Sequence, residues 1–488
     1  MAISYILSFA KESVVAYYFG LSEATDAYTI ATQIPVLLFS CISVAIQSVV
    51  VPLYSDLYYK KSEEDASAFI HQLLTLLLLI RGLLLILGEV FSSGVIYLFA
   101  PGFGQSTHNL ATKLLQIIWP TILFTVVSQV YTAILNVHKR FIGPAFAVYF
   151  LNGLLIVCIV LLYKRLGIVG ACVGQLVGGF ANYLYLRILI HKIYKYHPVI
   201  DLKDHTIKQS LKMTMPIFWS ISVAEINAMV NRAVASFLFI GSIAALNYAS
   251  KVNSVLSSFA LSAITSIVYP LYAESAAKED MSQLNSRVNL TLSAYVYLLM
   301  PLMIFIIVYN EDIIRIAFAR GAFDYNAVAQ TSVLLCCYAI GLPFMAFRTI
   351  VTKIFYSLKD TNTPAINATI GVVLNIVLNV TLPFIMGLKG LALATSITAC
   401  FISLRLLYLL IKKHQALNLA QLFSNLKPII ITNILLLMVL FGLLFVSDSL
   451  PVLLRFLIGG LASVIIYFLL SLVFRIPVFN YLVKQIKQ

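Results

Sequence analysis

Apolar residues run in blocks of roughly twenty along almost the whole chain, and short groups of Gly, Pro and charged residues separate the blocks. A helix rising 1.5 Å per residue needs about that length to cross a hydrocarbon layer about 30 Å thick. The pattern predicts fourteen spans. The first six cover about 2–19, 27–53, 68–99, 110–135, 145–163 and 167–190, and a polar, basic connector follows at 191–212. Six more cover about 214–240, 243–272, 286–310, 326–357, 365–386 and 388–411, and two close the chain at about 428–446 and 452–474.

The spans repeat. Gly-Ile-Val-Gly at 167–170 returns as Gly-Leu-Lys-Gly at 387–390, and Pro144 returns as Pro364, both at an offset of 220. Pro-Leu-Tyr at 52–54 returns at 270–272, and the stretch from Phe99 to Phe103 returns between Phe318 and Phe323. Four matches in one order at nearly one offset argue for a duplicated six-helix unit. Six is even, so the two copies insert in the same direction, an arrangement that transporters use to rock two lobes about a central site. The expected fold is an all-α polytopic membrane protein with an N-lobe at 1–190, a basic cytoplasmic linker at 191–212, a C-lobe at 213–413, and two last helices with a cytoplasmic tail at 414–488.

Composition agrees: of 488 residues 61% are hydrophobic and 11% charged, with a mean hydropathy of +0.96, far from a soluble domain. A net charge of +14 in a soluble protein would suggest nucleic acid, but cytoplasmic loops of multi-span proteins collect Lys and Arg, so no nucleic-acid partner is expected. With both termini in the cytoplasm, the inner connections hold eighteen Lys and Arg. The outer ones hold six: Lys113, Lys164, Arg165, Arg315, Arg320 and Lys389. The six cysteines lie in apolar stretches with no disulfide or metal-ligand spacing, and the N-terminus shows no cleavable signal pattern. No catalytic constellation and no Gly-rich phosphate loop are present, so neither an enzyme nor an ATPase is expected, and no cofactor.

A charge at mid-bilayer costs about 2.5–3.5 kcal/mol on insertion scales, so Lys11 and Glu12 in the first span, Glu225 and Arg232 in the seventh, and Lys251 in the eighth are the candidates for a substrate-binding cavity. That cavity would be basic and suit an anion; snorkelling or internal ion pairing is the plainer explanation for each residue. Arg348 and Lys353 sit nearer the cytoplasmic end, and Arg81 and Glu89 suggest a local break or pairing. Asp26 either joins the site or caps the second span. Asn375 and Asn379, one turn apart, with Thr395, Asn227 and Asn231, form a weak candidate cation site, for which interhelical hydrogen bonding is the competing reading.

Several segments resemble the MurJ family of lipid-linked precursor flippases, in the multidrug/oligosaccharidyl-lipid/polysaccharide exporter superfamily. They are Ser8-Phe-Ala-Lys-Glu12 with Phe19-Gly20 and Ala24-Thr-Asp-Ala27; Ala100-Pro-Gly-Phe103; Arg320-Gly-Ala-Phe-Asp324; and Phe355-Tyr-Ser-Leu-Lys-Asp-Thr-Asn-Thr-Pro364. The resemblance extends over the first twelve spans. It implies two six-helix lobes around a cationic central cavity, a groove for a polyprenyl tail at the last two helices, and the peptidoglycan precursor lipid II as substrate. By that resemblance the family's cavity arginine of helix 1 falls on Lys11, its acid on Glu12, its loop aspartate on Asp26, and its helix 8 arginine on Lys251. Other family arginines fall on Tyr17 and near Phe39 or Ser40, and carboxylates of a proposed sodium site fall on Asn. The first span is short at its N-terminal end.

The expected function is a flippase of the bacterial plasma membrane that carries an undecaprenyl-pyrophosphate-linked peptidoglycan precursor to the outer leaflet by alternating access. Its partners would be that lipid-linked precursor, membrane lipids and cell-wall synthesis proteins. The alternatives are a Wzx-type flippase of O-antigen or capsular repeat units, a cation-coupled drug exporter, and a membrane scaffold for wall-synthesis enzymes.

Overall fold

A peptide N–H or C=O left unpaired in hydrocarbon costs several kcal/mol, and a helix satisfies both within its own segment. The computed structural model describes residues 2–199, 201, 204–258, 281–414 and 417–479, and among them there is helix and no strand. In the first half the helices are α1 (Ala2–Phe19), α2 (Glu23–Ala45), a π-helical turn (Ile46–Val50), α3 (Val51–Lys60), α4 (Glu63–Val90), α5 (Ser92–Phe99), α6 (Gln105–Ile118), α7 (Thr121–Val137), α8 (Ile142–Leu166) and α9 (Val169–Ile190). Then come α10 (His205–Ala235) and α11, helical over 242–258. The rest are α12 (Met281–Val308), α13 (Asn310–Phe318), α14 (Tyr325–Ala339), α15 (Leu342–Ser357), α16 (Asn362–Met386), α17 (Leu388–His414), α18 (Leu419–Val446) and α19 (Val452–Val473).

Each of the fourteen expected spans contains helix. The eighth is described only to residue 258, and Pro-Leu-Tyr at 270–272 lies outside the described residues. Among the described residues ten helices are long and apolar enough to cross a membrane, or eleven if α6 and α7, bent by 41°, make one span. The other three expected spans are α1, α10 and α11. These carry Lys11, Glu12, Glu225, Arg232 and Lys251, and α11 is described over 242–258 only.

The duplication is visible in the backbone. Lys139 and Lys359 both take a left-handed φ, 59° and 60°, in the turn before α8 and the turn before α16. Arg140 N–H donates to Leu135 C=O at 2.8 Å, and Asp360 N–H to Phe355 C=O at 2.9 Å. Gly167 and Gly387, at φ 55° and 57°, end α8 and α16 in the conformation that glycine tolerates best. All three pairs are 220 residues apart.

By contacts the chain forms two compact units, Met1–Ala244 and Ala245–Gln488. The division falls at the start of α11, later than the connector at 191–212, because α10 packs against α2 in the first unit. The connector is itself fastened there: Tyr194 Oη pairs with His71 Nδ1 at 2.8 Å, His197 N–H donates to the same nitrogen at 3.0 Å, and Tyr196 Oη meets Thr75 Oγ1 at 2.8 Å.

In the first unit α8 and α9 pack along Gly170, Gly174 and Gly178, spaced one turn apart so that the backbones approach closely. A Cβ at Gly178 would stand 2.7 Å from the Leu151 carbonyl oxygen, and one at Gly174 2.9 Å from Leu155 Cα. In the second unit Arg455 of α19 binds Asp312 of α13 through two nitrogens, Nε at 2.8 Å from Oδ2, and Asp448 through a third at 2.8 Å. Bidentate geometry offsets part of the desolvation of a buried pair, and removing either partner leaves a buried charge without its counter-ion.

Gly178→Ala is expected to destabilise the protein by about 1–3 kcal/mol, because backbone rather than a flexible side chain must move. At Gly153, on the same helix pair, an added Cβ would have nothing within 4 Å, and Gly153→Ala should be neutral. Thermal melting of the two purified variants checks this; similar melting temperatures would refute the close-packing account.

Candidate functional site

The α1–α2 turn is built from Gly20 at φ 57°, Ser22 and Thr25. Ser22 Oγ accepts from Thr25 N–H at 3.3 Å and is the N-cap of α2, while Thr25 Oγ1 donates to Gly20 C=O at 3.0 Å. Asp26 does something else. Its carboxylate accepts from Gly241 N–H at 2.7 Å and from Ala244 N–H at 2.8 Å, across 215 and 218 residues. The local reading of Asp26 as the cap of α2 is thereby corrected, because Ser22 caps α2 and Asp26 caps the start of α11. The bonds compensate amide donors that a helix start leaves without intrahelical partners, and they place negative charge at the positive end of the helix.

Two further contacts join the same loops. Gly102 N–H donates to Ser236 Oγ at 2.9 Å, and Glu23 accepts from Thr107 Oγ1 at 2.8 Å and Ser106 Oγ at 3.3 Å. Glycine is required at two of these positions. Gly241 has φ 90° and would press a Cβ to 2.7 Å from Leu21 Cβ, and a Cβ at Gly102 would meet the Ser236 carbonyl oxygen at 2.5 Å. Three loops, 20–26, 100–107 and 236–244, are thus pinned together within the first unit.

Deeper along α1, Lys11 Nζ lies 3.0 Å from Glu12 Oε1, with side chains 22% and 10% exposed. Glu12 is therefore buried and charge-partnered, and Lys11 keeps part of its surface open. On α10, half-buried Arg232 donates to the side-chain carbonyl of Gln33 on α2 and, at 3.4 Å, to Ala228 C=O of its own helix. Glu225 is half-buried two turns earlier on α10, and Lys251 is half-buried on α11. Arg348 is exposed on α15 and Lys353 half-buried there.

The amide candidates hold one another. Asn379 Nδ2 donates to Asn375 Oδ1 at 3.0 Å, and Asn375 Nδ2 donates to Thr398 Oγ1 at 3.0 Å, fastening α16 to α17. Thr395 bonds back to Leu391 C=O at 3.5 Å, and Asn231 belongs to the first unit. Among the described residues no group of three or more His, Cys, Asp or Glu is placed to hold a metal ion. Arg81, fully buried on α4, donates to Ile122 C=O at 2.6 Å by the junction of α6 and α7, while α4 itself runs unbroken past it to Val90.

Sequence reasoning passes over Gln33, Ser22, Ser236 and Gly241. A small polar residue beside a Gly turn is the available signal for Ser22, but nothing local marks Gln33 or Ser236.

A family model described as lipid II flippase MurJ matches residues 15–460. The chain belongs to the MurJ family. A lipid II flippase MurJ of Thermosipho africanus is 31% identical over 407 residues, 83% of this chain and 82% of its own length. A probable lipid II flippase MurJ of Buchnera aphidicola subsp. Baizongia pistaciae is 29% identical over 413 residues, 83% and 80%. A solved structure titled lipid II flippase MurJ, inward closed conformation, superposes with a TM-score of 0.83 at 29% identity over 97% of both chains. The MurJ resemblance of the short segments thus extends to the whole helical fold.

Asp26→Ala should destabilise this MurJ-family chain by about 2 kcal/mol, since the amides of Gly241 and Ala244 lose their acceptor, and Asp26→Asn, which keeps one oxygen, by less. Melting of both variants beside the parent tests it, and an Ala variant that melts with the parent would show that the carboxylate does not hold the loops.

Proposed function

We propose that the chain is a lipid II flippase of the bacterial plasma membrane. It moves the undecaprenyl-pyrophosphate-linked peptidoglycan precursor from the cytoplasmic to the outer leaflet by alternating access, with both termini in the cytoplasm. The observation that carries this reading is the family match along residues 15–460, which takes in every charged residue of α1, α10 and α11 apart from Lys11 and Glu12, whose segment resembles the same family.

The physical logic is electrostatic. The pyrophosphate is the part of the substrate that hydrocarbon rejects, and Lys11 and Lys251 supply positive charge on helices that are otherwise apolar. Glu12 holds Lys11 in place and lowers the free energy of a lone ammonium in the membrane. The pinned loops at 20–26, 100–107 and 236–244 lie on the outer side in this topology, and the polyprenyl tail stays in the bilayer while the headgroup crosses. The chain has no phosphate-cradling Gly-Lys loop, and on this reading the driving free energy comes from a gradient, the membrane potential or a partner.

Depletion should make lipid II accumulate in the inner leaflet, read by the accessibility of the precursor to an externally added probe; unchanged outer-leaflet delivery would refute the reading. Lys11→Ala with Lys251→Ala should abolish complementation of a flippase-depleted strain while leaving the membrane level of the protein intact.

A further inference from the structure

A single ring nitrogen holds the connector that leads from α9 towards α10. His71 lies about two turns into α4, half-buried, and its Nδ1 receives two donors, Tyr194 Oη at 2.8 Å and His197 N–H at 3.0 Å. One turn further along α4, Thr75 Oγ1 donates to His71 C=O at 2.7 Å, and it accepts from Tyr196 Oη at 2.8 Å and from Val199 N–H at 3.2 Å. Pro198 has no N–H, so both amides of the segment 197–199 end on side chains of α4.

A backbone N–H can only donate. Nδ1 of His71 must therefore keep its lone pair and the ring carry its proton on Nε2, because an imidazolium donates at both nitrogens. The two connector donors respond differently to a second proton. Tyr194 Oη can turn from donor to acceptor, and its ring is buried and stacked on His71 with centroids 4.9 Å apart, so it stays seated. His197 N–H cannot turn, and would face another N–H with no acceptor between them.

The groups that meet the ring belong to the connector: Tyr194, Tyr196 with its centroid 6.3 Å away, and His197 at 5.4 Å. Around this part of α4 stand Tyr54, Tyr58 and the exposed Asp56–Lys60 pair of α3, with Tyr131 and His138 by the end of α7. From α9 come Tyr183 and Arg187, and from α10 His205, Lys208 and Lys212. Glu63, Glu64 and Asp65 lie in the first turn of α4 itself, and Lys192 and Lys195 of the connector are exposed. Of these types only histidine ordinarily changes charge between about pH 5 and 8. His138 is engaged elsewhere, its Nε2 3.1 Å from Tyr54 Oη, and a charge on His197 would oppose one on His71.

We infer that His71 is a pH-sensitive clasp, whose neutral ring holds residues 197–199 on α4 and whose charged ring releases them while Tyr194 keeps the start of the connector in place. The bonded state needs the neutral ring, so the clasp is closed above the pH at which the ring takes its second proton and opens as the pH falls through it. The ordinary imidazole value of about 6.5 sets the region to search. The inference goes beyond the flippase reading and does not depend on it, and it gives the link between the two repeats a response to acidity.

The test is amide hydrogen exchange of the full-length protein in nanodiscs at about pH 7.5 and about pH 5.5, each rate divided by the intrinsic rate at that pH. In the parent, protection of His197 and Val199 should fall about tenfold at the lower pH. Ile193 and Tyr194, whose N–H groups donate to Ile190 C=O at 2.8 and 2.9 Å, should keep theirs. His71→Asn supplies a neutral oxygen near the place of Nδ1 and should keep all four amides protected at both pH values. His71→Lys, which has only donors, should leave His197 and Val199 unprotected at both. His197→Asn, which keeps the backbone amide, and His138→Asn should respond as the parent does.

Where His71→Asn does not fold, the two control variants and the ring resonances of 15N-labelled histidine in the parent decide. Nδ1 of His71 should gain its proton over the same pH interval in which His197 loses protection. Equal protection of His197 at both pH values in the parent overturns the inference. So does a response that survives in His71→Asn, vanishes in either control, spreads to Ile193 and Tyr194, or occurs while the His71 ring stays neutral.

Discussion

Every interruption of a helix inside an apolar layer exposes carbonyls or amides that no water can satisfy, and several buried polar side chains of this protein serve those interruptions. Where α6 gives way to α7 at Trp119 and Pro120, Arg81 donates to Ile122 C=O, and Trp119 Nε1 donates to Leu84 C=O at 3.1 Å. Where α14 gives way to α15 at Ile340 and Gly341, Ser396 of α17 donates to Cys337 C=O at 2.6 Å. The two breaks are equivalent in the duplication, yet one is served by an arginine from α4 and the other by a serine from α17. The constraint on the backbone was inherited, while the side chain that meets it was free to change.

The same constraint explains why the loops at 20–26, 100–107 and 236–244 are tied so heavily. Their donors and acceptors sit at helix ends, where intrahelical partners run out, and Asp26 supplies two oxygens to one such end. Hydrogen bonds to backbone amides, about 1 kcal/mol net each when made, fix these loops in one geometry. An apolar seal of equal area would lack that directionality, since its strength is set by area alone.

Hydropathy is a local property, so the spans and their breaks are legible: Pro120 and the Gly341-Leu-Pro343 sequence mark the two bends, and charges in apolar blocks point to Lys11, Arg232 and Arg81. The duplication is legible in short matches, and the paired left-handed turns at Lys139 and Lys359 follow from it. What a single sequence does not carry is register between distant helices. Sequence spacing groups Asn375 with Thr395, whereas its partner is Thr398, one turn further along α17. Asp26 reads as a cap of the helix it starts because its true partners are more than two hundred residues away. The packing of α10 with the first unit is hidden for the same reason: the polar connector at 191–212 is the obvious seam in the sequence, but Gln33, a polar residue in an apolar helix, gives no local hint that it binds Arg232.

The two cations of the first unit show two ways of keeping a charge among apolar helices. A bare charge at mid-membrane is costly. Lys11 has an adjacent acid on its own helix, so the pair, with side chains only 22% and 10% exposed, carries its counter-ion on the same backbone and needs no second helix in register. Arg232, in the last turn of α10, donates instead to the side-chain carbonyl of Gln33 on α2, a bond that exists only when the two helices pack. The first arrangement is local and therefore legible in the sequence, while the second depends on tertiary structure and ties α10 to the first unit.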